Sequence, residues 1–175
     1  MSFKELLKRI ESSGEFKKFK KENPKAILYS AFFTFRAAYG NLILDSQQLD
    51  YLIDKRKIGT FLMANDQVVH KIDKLEKDAD EVKALNKEVK LDLDEVRKII
   101  DKEIKKQKIT SQITEIIAIL QRLEGKQIWN LIIVLSVLEM LRLHISMDNK
   151  ILLNKKENFM NFMKVEKGKK GEKKD

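Results

Sequence analysis

The sequence predicts an α+β protein built as two helix-plus-antiparallel-sheet halves, and three observations carry that prediction. Helical periodicity opens the chain and returns near Leu91. Each helical segment is followed by aromatic and β-branched runs rich in strand formers. Near the end, Met147-Asp148-Asn149-Lys150 parts two apolar segments, and Asn and Asp there tolerate the positive φ of a tight hairpin turn. A chain of 175 residues with 43% hydrophobic content is long enough to bury a real core.

The boundaries follow from shifts in composition. Residues 1–66 read as an N-terminal helix with antiparallel strands, and 67–90 as a partly helical connector. Residues 91–163 read as a second helix with strands, and Lys164–Asp175 as a basic disordered tail with nothing apolar to bury beyond Val165.

The first helix is expected over Phe3–Glu22, with Phe3, Leu6, Leu7, Ile10, Phe16 and Phe19 on one side. Ser12-Ser13-Gly14 interrupts it, so two pieces are as well supported as one, Ser13 capping the second. Asn23-Pro24 ends it, because proline drives the residue before it out of the α region. Strands are expected from Ile27 to Tyr39, where there is little polar alternation, then over Gln47–Asp54 and Ile58–Ala64 around the polar turn Asp54-Lys55-Arg56-Lys57. In the second half Asp92 and Glu95 form a capping box ahead of Val96, Ile99, Ile100 and Ile104. Strands follow at about Thr114–Leu123, Gln127–Leu135, Glu139–Met147 and Lys150–Asn154.

Two alternatives compete locally. Ile72, Ala79, Asn86, Leu93 and Ile100 recur every seven residues, with Leu75, Val82, Val89 and Val96 three after the first four, which would suit a coiled-coil arm from His70 to Lys108. Leu85 and Leu91 fall off that seam, and a cap at Asp92 would be wasted inside a continuous helix, so a connector is preferred. The apolar run Ile128–Ile145 could be taken for a membrane span. It holds Asn130, Ser136, Glu139, Arg142 and His144, and each charge near a helix centre costs about 2.5–3.5 kcal/mol, so no membrane span is expected.

Certain marks resemble a known family. The helix carrying Phe16-x-x-Phe19 and ending at Asn23-Pro24, the stretch Gly125-Lys126-Gln127-Ile128-Trp129-Asn130, and the hairpin Ile145–Ile151 look like small uncharacterised archaeal proteins with a PepSY-like, loosely cystatin-like fold, over residues 12–163. The resemblance implies a duplicated PepSY-like arrangement and a role in binding or restraining proteases. That role is usually played outside the cytoplasm. The charged start Met1-Ser2-Phe3-Lys4-Glu5 reads as neither secretory signal nor anchor, so a cytoplasmic location is the expectation.

Chemistry is hard to find. The chain has no cysteine, which removes disulfides, thiolate metal sites and cysteine nucleophiles. His70 and His144 are the two histidines, neither within metal-ligand spacing of a suitable set. No glycine-rich phosphate loop and no serine nucleophile elbow is present. Asp50 with Asp54, and Glu139 with Arg142 or His144, are better explained as salt bridges or rim charges than as acid–base pairs. No catalytic activity, cofactor or metal is expected. Trp129 is a candidate ligand contact, though a single tryptophan on a strand is more often a core anchor whose indole N–H meets a carbonyl.

The net charge of +9 comes from 36 Lys and Arg against 27 Asp and Glu, concentrated at both ends. Basic termini suit a nucleic-acid partner. Six scattered arginines and an aromatic run interleaved by Arg36 alone argue instead for solvated surface charge and a core. The Lys- and Glu-rich composition is one that thermophile proteins share. The functional expectation is a non-catalytic binding or structural module, a protein-interaction domain, with nucleic-acid association as the alternative. Edge strands need cover, so Leu141, Leu143, Ile145, Ile151 and Leu153 form a candidate interface, covered by the rest of the chain or by a second copy in a homodimer.

Overall fold

A computed structural model describes residues 2–79 and 82–158. Two short helices, α1 (Phe3–Ser12) and α2 (Gly14–Glu22), precede four strands, β1 (Ile27–Ala38), β2 (Asn41–Asp54), β3 (Lys57–Ala64) and β4 (Gln67–Lys74). One helix, α3 (Leu93–Lys106), precedes four more, β5 (Ile113–Leu123), β6 (Lys126–Leu135), β7 (Glu139–Ser146) and β8 (Ile151–Asn158). All eight pair antiparallel in a single sheet of order β4-β3-β2-β1-β5-β6-β7-β8. The α+β class is as expected, but the strands of the two halves do not form separate sheets. They join through β1 and β5, from Ala31 opposite Leu120 to Arg36 opposite Glu115.

Local chemistry sets the helix ends. Ser2 and Glu5 make a capping box at α1, and Asp92 and Glu95 make one at α3. Ser13 serves two helices: its hydroxyl donates to the Ile10 carbonyl at 2.7 Å and accepts from the Phe16 amide at 3.1 Å. The first helical segment is therefore two pieces. Asp92 Oδ1 also accepts from the Phe3 amide at 2.8 Å, tying the start of α1 to the start of α3.

The hairpins close on residues of positive φ. Tyr39-Gly40 (51° and 78°), Asn65-Asp66 (48° and 62°) and Glu124-Gly125 (50° and 77°) each place two successive residues in the left-handed region that two-residue turns require. Asn149 (64°) turns β7 into β8, so strands fill the apolar C-terminal region as predicted. No helix among the described residues is long and apolar enough to cross a membrane.

Two expectations need correction. Residues 67–74 are strand β4, paired along its whole length with β3, not the start of a partly helical connector. The competing coiled-coil reading of His70 to Lys108 does not hold: helix among the described residues of that span is confined to α3, which the capping box at Asp92 starts afresh. Leu85, Val89 and Leu91, before that cap, instead bury their side chains in the core. Finally, β2 begins at Asn41, six residues before the expected start. The tail Lys164–Asp175 lies outside the described residues.

The core lies between the helices and one face of the sheet. Phe16 and Phe19 of α2 pack on Tyr51 and Phe61, with ring centroids 4.8–6.2 Å apart. Gly59 lies beneath Phe19, where an added Cβ would come within 2.5 Å of the ring. α3 reaches both sides of the β1–β5 seam: its Arg97 stands over the Phe35 ring of β1 at 5.5 Å, and Asn154 of β8 donates to its Glu103 at 2.8 Å. Fully burying side chains such as Phe33, Leu131 and Leu143 contributes about 1.5–3 kcal/mol each.

Candidate binding face

Residues directly opposite each other in an antiparallel ladder point to the same side of the sheet, so the register sorts every strand residue onto one face or the other. Ala31, Phe33, Leu49, Phe61, Leu120, Trp129, Leu131, Leu143 and Ile145 share the helix-bearing face. The opposite face carries a row of residues that crosses all eight strands: Val69, Leu62, Gln48, Phe32, Ile119, Asn130, His144 and Leu153. Beside it runs a second row, Ser46, Thr34, Ile117, Ile132, Arg142 and Lys155.

This second face is apolar at its middle. Leu62, Phe32, Ile119, Ile117, Ile132 and Val134 are all partly exposed, on β3 and on the three adjacent strands β1, β5 and β6. Among the described residues, the contacts of the helices with the strands, from Glu11 of α1 accepting the Tyr51 hydroxyl at 2.8 Å to the ring and hydrogen-bond contacts of α2 and α3 above, go to the other face. A sheet covered on one side only needs one apolar parity per strand. Here Ile116-Ile117-Ala118-Ile119-Leu120 and Ile128 to Leu135 are apolar at almost every position, which supplies a second apolar surface.

Polar groups flank that surface on both sides of the seam. On β1–β3, Asp50 is only 4% exposed, and its carboxylate accepts hydrogen bonds from Ser30 Oγ (2.9 Å), Gln48 Nε2 (2.8 Å) and Thr60 Oγ1 (2.9 Å). Burial raises its pKa against the lowering effect of those donors and of Lys71. On β6–β8, Asn130 and His144 are cross-strand neighbours, and among the described residues neither Asn130 Oδ1 nor His144 Nε2 has a hydrogen-bond partner although both atoms are shielded from solvent. Burial, and then the Arg142 guanidinium, lower the pKa of His144, favouring neutral imidazole. Arg142 and Lys155 in turn pair with Glu157.

The residues singled out from sequence are distributed as follows. Trp129 is on the helix-bearing face, fully buried, with its indole N–H donating to the Leu91 carbonyl at 2.8 Å and its ring 6.1 Å from Phe33. It is a core anchor and not a ligand contact. Leu141, Leu143 and Ile145 are fully buried in the chain's own core, which leaves them nothing to offer an interface. Of the five proposed interface residues, Ile151 is exposed and Leu153 partly so.

The two histidines lie on opposite faces: His70 stacks on Phe61 beneath α2 at 4.5 Å, its pKa lowered by burial. Asp54 accepts from the Arg56 amide at 2.8 Å, and Glu139 pairs with Lys156 at 2.7 Å, so neither meets a histidine. Among the described residues no three His, Asp or Glu side chains converge as a metal site would require. A surface pocket of about 370 Å³ opens between the connector and two turns, near Asn86, Lys90, Lys126 and Asp148. Gln127 within it is already engaged with Asn86 in both directions, at 2.7 and 3.1 Å.

The helix-free face was not identified from the sequence, although the double apolar parity of β5 and β6 was its signal. No family model and no curated protein matches the chain. Among solved structures, a "putative lipoprotein" from Clostridium difficile 630 is similar, with a TM-score of 0.44 and 13% identity, over 82% of this chain and 90% of that one.

Proposed function

We propose that the chain is a non-catalytic protein-interaction module whose working surface is the helix-free face of the sheet. One observation carries this reading: Phe32, Ile117, Ile119 and Ile132 sit side by side on β1, β5 and β6, partly exposed, at the centre of the molecule. Contiguous apolar surface of this kind, rimmed by polar side chains such as Gln48, Arg142 and Lys71, marks interaction sites in soluble proteins. The same proposal takes the two runs of helix plus four strands as copies of one unit, of the PepSY-like kind suggested by the sequence. Three features support it: the repeated element order, the symmetric strand order about β1 and β5, and the near-identical turns at Tyr39-Gly40 and Glu124-Gly125.

The test is site-specific photo-cross-linking. A photoreactive phenylalanine analogue replacing Ile117 or Ile132 in the full chain, expressed in cells, is expected to give a discrete protein adduct. The same group at exposed Ile72, which lies on edge strand β4 and the other face, is expected to give none. Equal adducts from Ile72, or adducts to nucleic acid in place of protein, would overturn the reading.

A further inference from the structure

We propose that the Asn130–His144 pair on the helix-free face receives the phenol hydroxyl of a tyrosine presented by a protein partner. The inference rests on that face being the working surface and names what it recognises.

The argument begins with two atoms. Asn130 Oδ1 and His144 Nε2 are withdrawn from solvent and have no hydrogen-bond partner among the described residues, a condition that native proteins avoid and that calls for a missing partner. The two residues are directly opposite on β6 and β7, and such pairs hold their Cβ atoms roughly 4.5–5.5 Å apart, close enough for one small group to serve both. The residues themselves are partly exposed, so side-chain rotation can bring both atoms to a group arriving from solvent.

The chemistry of the two atoms selects that group. An amide oxygen can only accept, whereas an imidazole nitrogen donates or accepts according to tautomer. A hydroxyl is the smallest group that can give its proton to Oδ1 while its oxygen accepts from Nε2–H, or give it to Nε2 in the other tautomer. An ammonium or guanidinium could donate, but Arg142 lies one pair away on β7 and already depresses the charge of His144, so a second cation is disfavoured.

The surroundings select what the hydroxyl is attached to. Ile119 is the cross-strand neighbour of Asn130, Phe32 that of Ile119, and Leu153 that of His144. Ile132 stands two residues along β6 on the same face. An aliphatic alcohol such as serine would leave these apolar side chains uncovered, whereas a phenol lays a ring over them and delivers the hydroxyl at its tip. Tyrosine is also the residue most suited to anchor interfaces with one apolar and one polar end.

The test uses p-cresol and toluene, which share the tolyl body and differ by the hydroxyl. Each is titrated into the full chain and followed by backbone amide and histidine ring nitrogen resonances. The expected result is saturable p-cresol shifts at Ile119, Asn130, Ile132 and His144, with toluene at least fivefold weaker at the same residues. In an Asn130→Leu/His144→Phe double variant, whose fold is checked by the fluorescence of buried Trp129, the preference is expected to disappear while toluene still binds. Equal binding of the two probes to the wild-type face would overturn the tyrosine inference and leave the face as an apolar interaction surface. Shifts confined to other parts of the molecule, or a fivefold preference surviving in the double variant, would also overturn it, and the cross-linking experiment judges the face independently.

Discussion

On either side of the β1–β5 seam, the same face of the same sheet treats its polar groups in opposite ways. On β1–β3 the Asp50 carboxylate is buried and receives three donors from three adjacent strands. On β6 and β7 the Asn130 and His144 side chains are partly exposed, and one polar atom of each is without a partner among the described residues. The first arrangement is complete within the chain and resembles the networks that specify a unique fold. The second is incomplete, and an incomplete polar pair beside an apolar patch is what a binding surface presents before its partner arrives.

The strongest way to break this comparison is to remove the carboxylate. Asp50→Ala leaves the donors of Ser30, Gln48 and Thr60 facing one another without an acceptor, and the expected loss is about 2–4 kcal/mol in urea unfolding. A loss below about 0.5 kcal/mol would show that the network does not stabilise the fold. A smaller effect of opposite sign is expected from Asn130→Leu with His144→Phe. Replacing both unsatisfied groups by apolar ones of similar shape should leave stability unchanged or raise it by about 1 kcal/mol. A loss above about 2 kcal/mol would mean that these side chains hold the fold together.

The smallest effect is in pH, and it separates the two regions by sign. Burial raises the pKa of Asp50 above 3.8, so the folded state binds more protons than the unfolded one just above that pH. Wild type therefore loses stability relative to Asp50→Asn as pH rises from 3.8 through the folded pKa. Burial lowers the pKa of His144 below 6.5, so there the unfolded state binds more protons. Wild type therefore loses stability relative to His144→Phe as pH falls from 6.5 through the folded pKa. Equilibrium unfolding of the three proteins across pH 3 to 8 checks both signs, and one common sign for the two differences would erase the distinction.

What the sequence revealed was local. Ser13 and Asp92 announce themselves as caps because a short polar side chain before a periodic apolar segment has few other uses. The Asp148-Asn149 turn likewise follows from residues that tolerate left-handed backbone. The same logic applied to Asn65-Asp66, which sits between Phe61-Leu62-Met63 and Val68-Val69, would have found β4; the competing seven-residue repeat hid it. The two faces were harder. Ile27 to Tyr39 reads as a buried strand, which is true of Phe33 and Phe35 but not of Phe32, and periodicity cannot distinguish a strand covered on both sides from one whose second face awaits a partner. The Asp50 network and the Asn130–His144 pair draw on strands that only the register brings together, so neither exists at the level of sequence neighbours.

The β1–β5 seam has a consequence for how the chain reaches this structure. The pairs within each run of four strands are hairpins, closed by short turns, and can form as soon as their residues are available. The seam instead joins Arg36 to Glu115 and Ala31 to Leu120, across three intervening strands, the connector and α3. Contacts so distant in sequence lose more entropy on closure and form slowly. Until the seam closes, β1 and β5 are bare edges, apolar over Ala31–Phe33 and Ile116–Leu120, with charge to guard them only at the Arg36 and Glu115 end. During synthesis β1 must wait in that state until β5 has been made, so the strands that become the centre of the finished sheet are, in the interval, its most aggregation-prone surface.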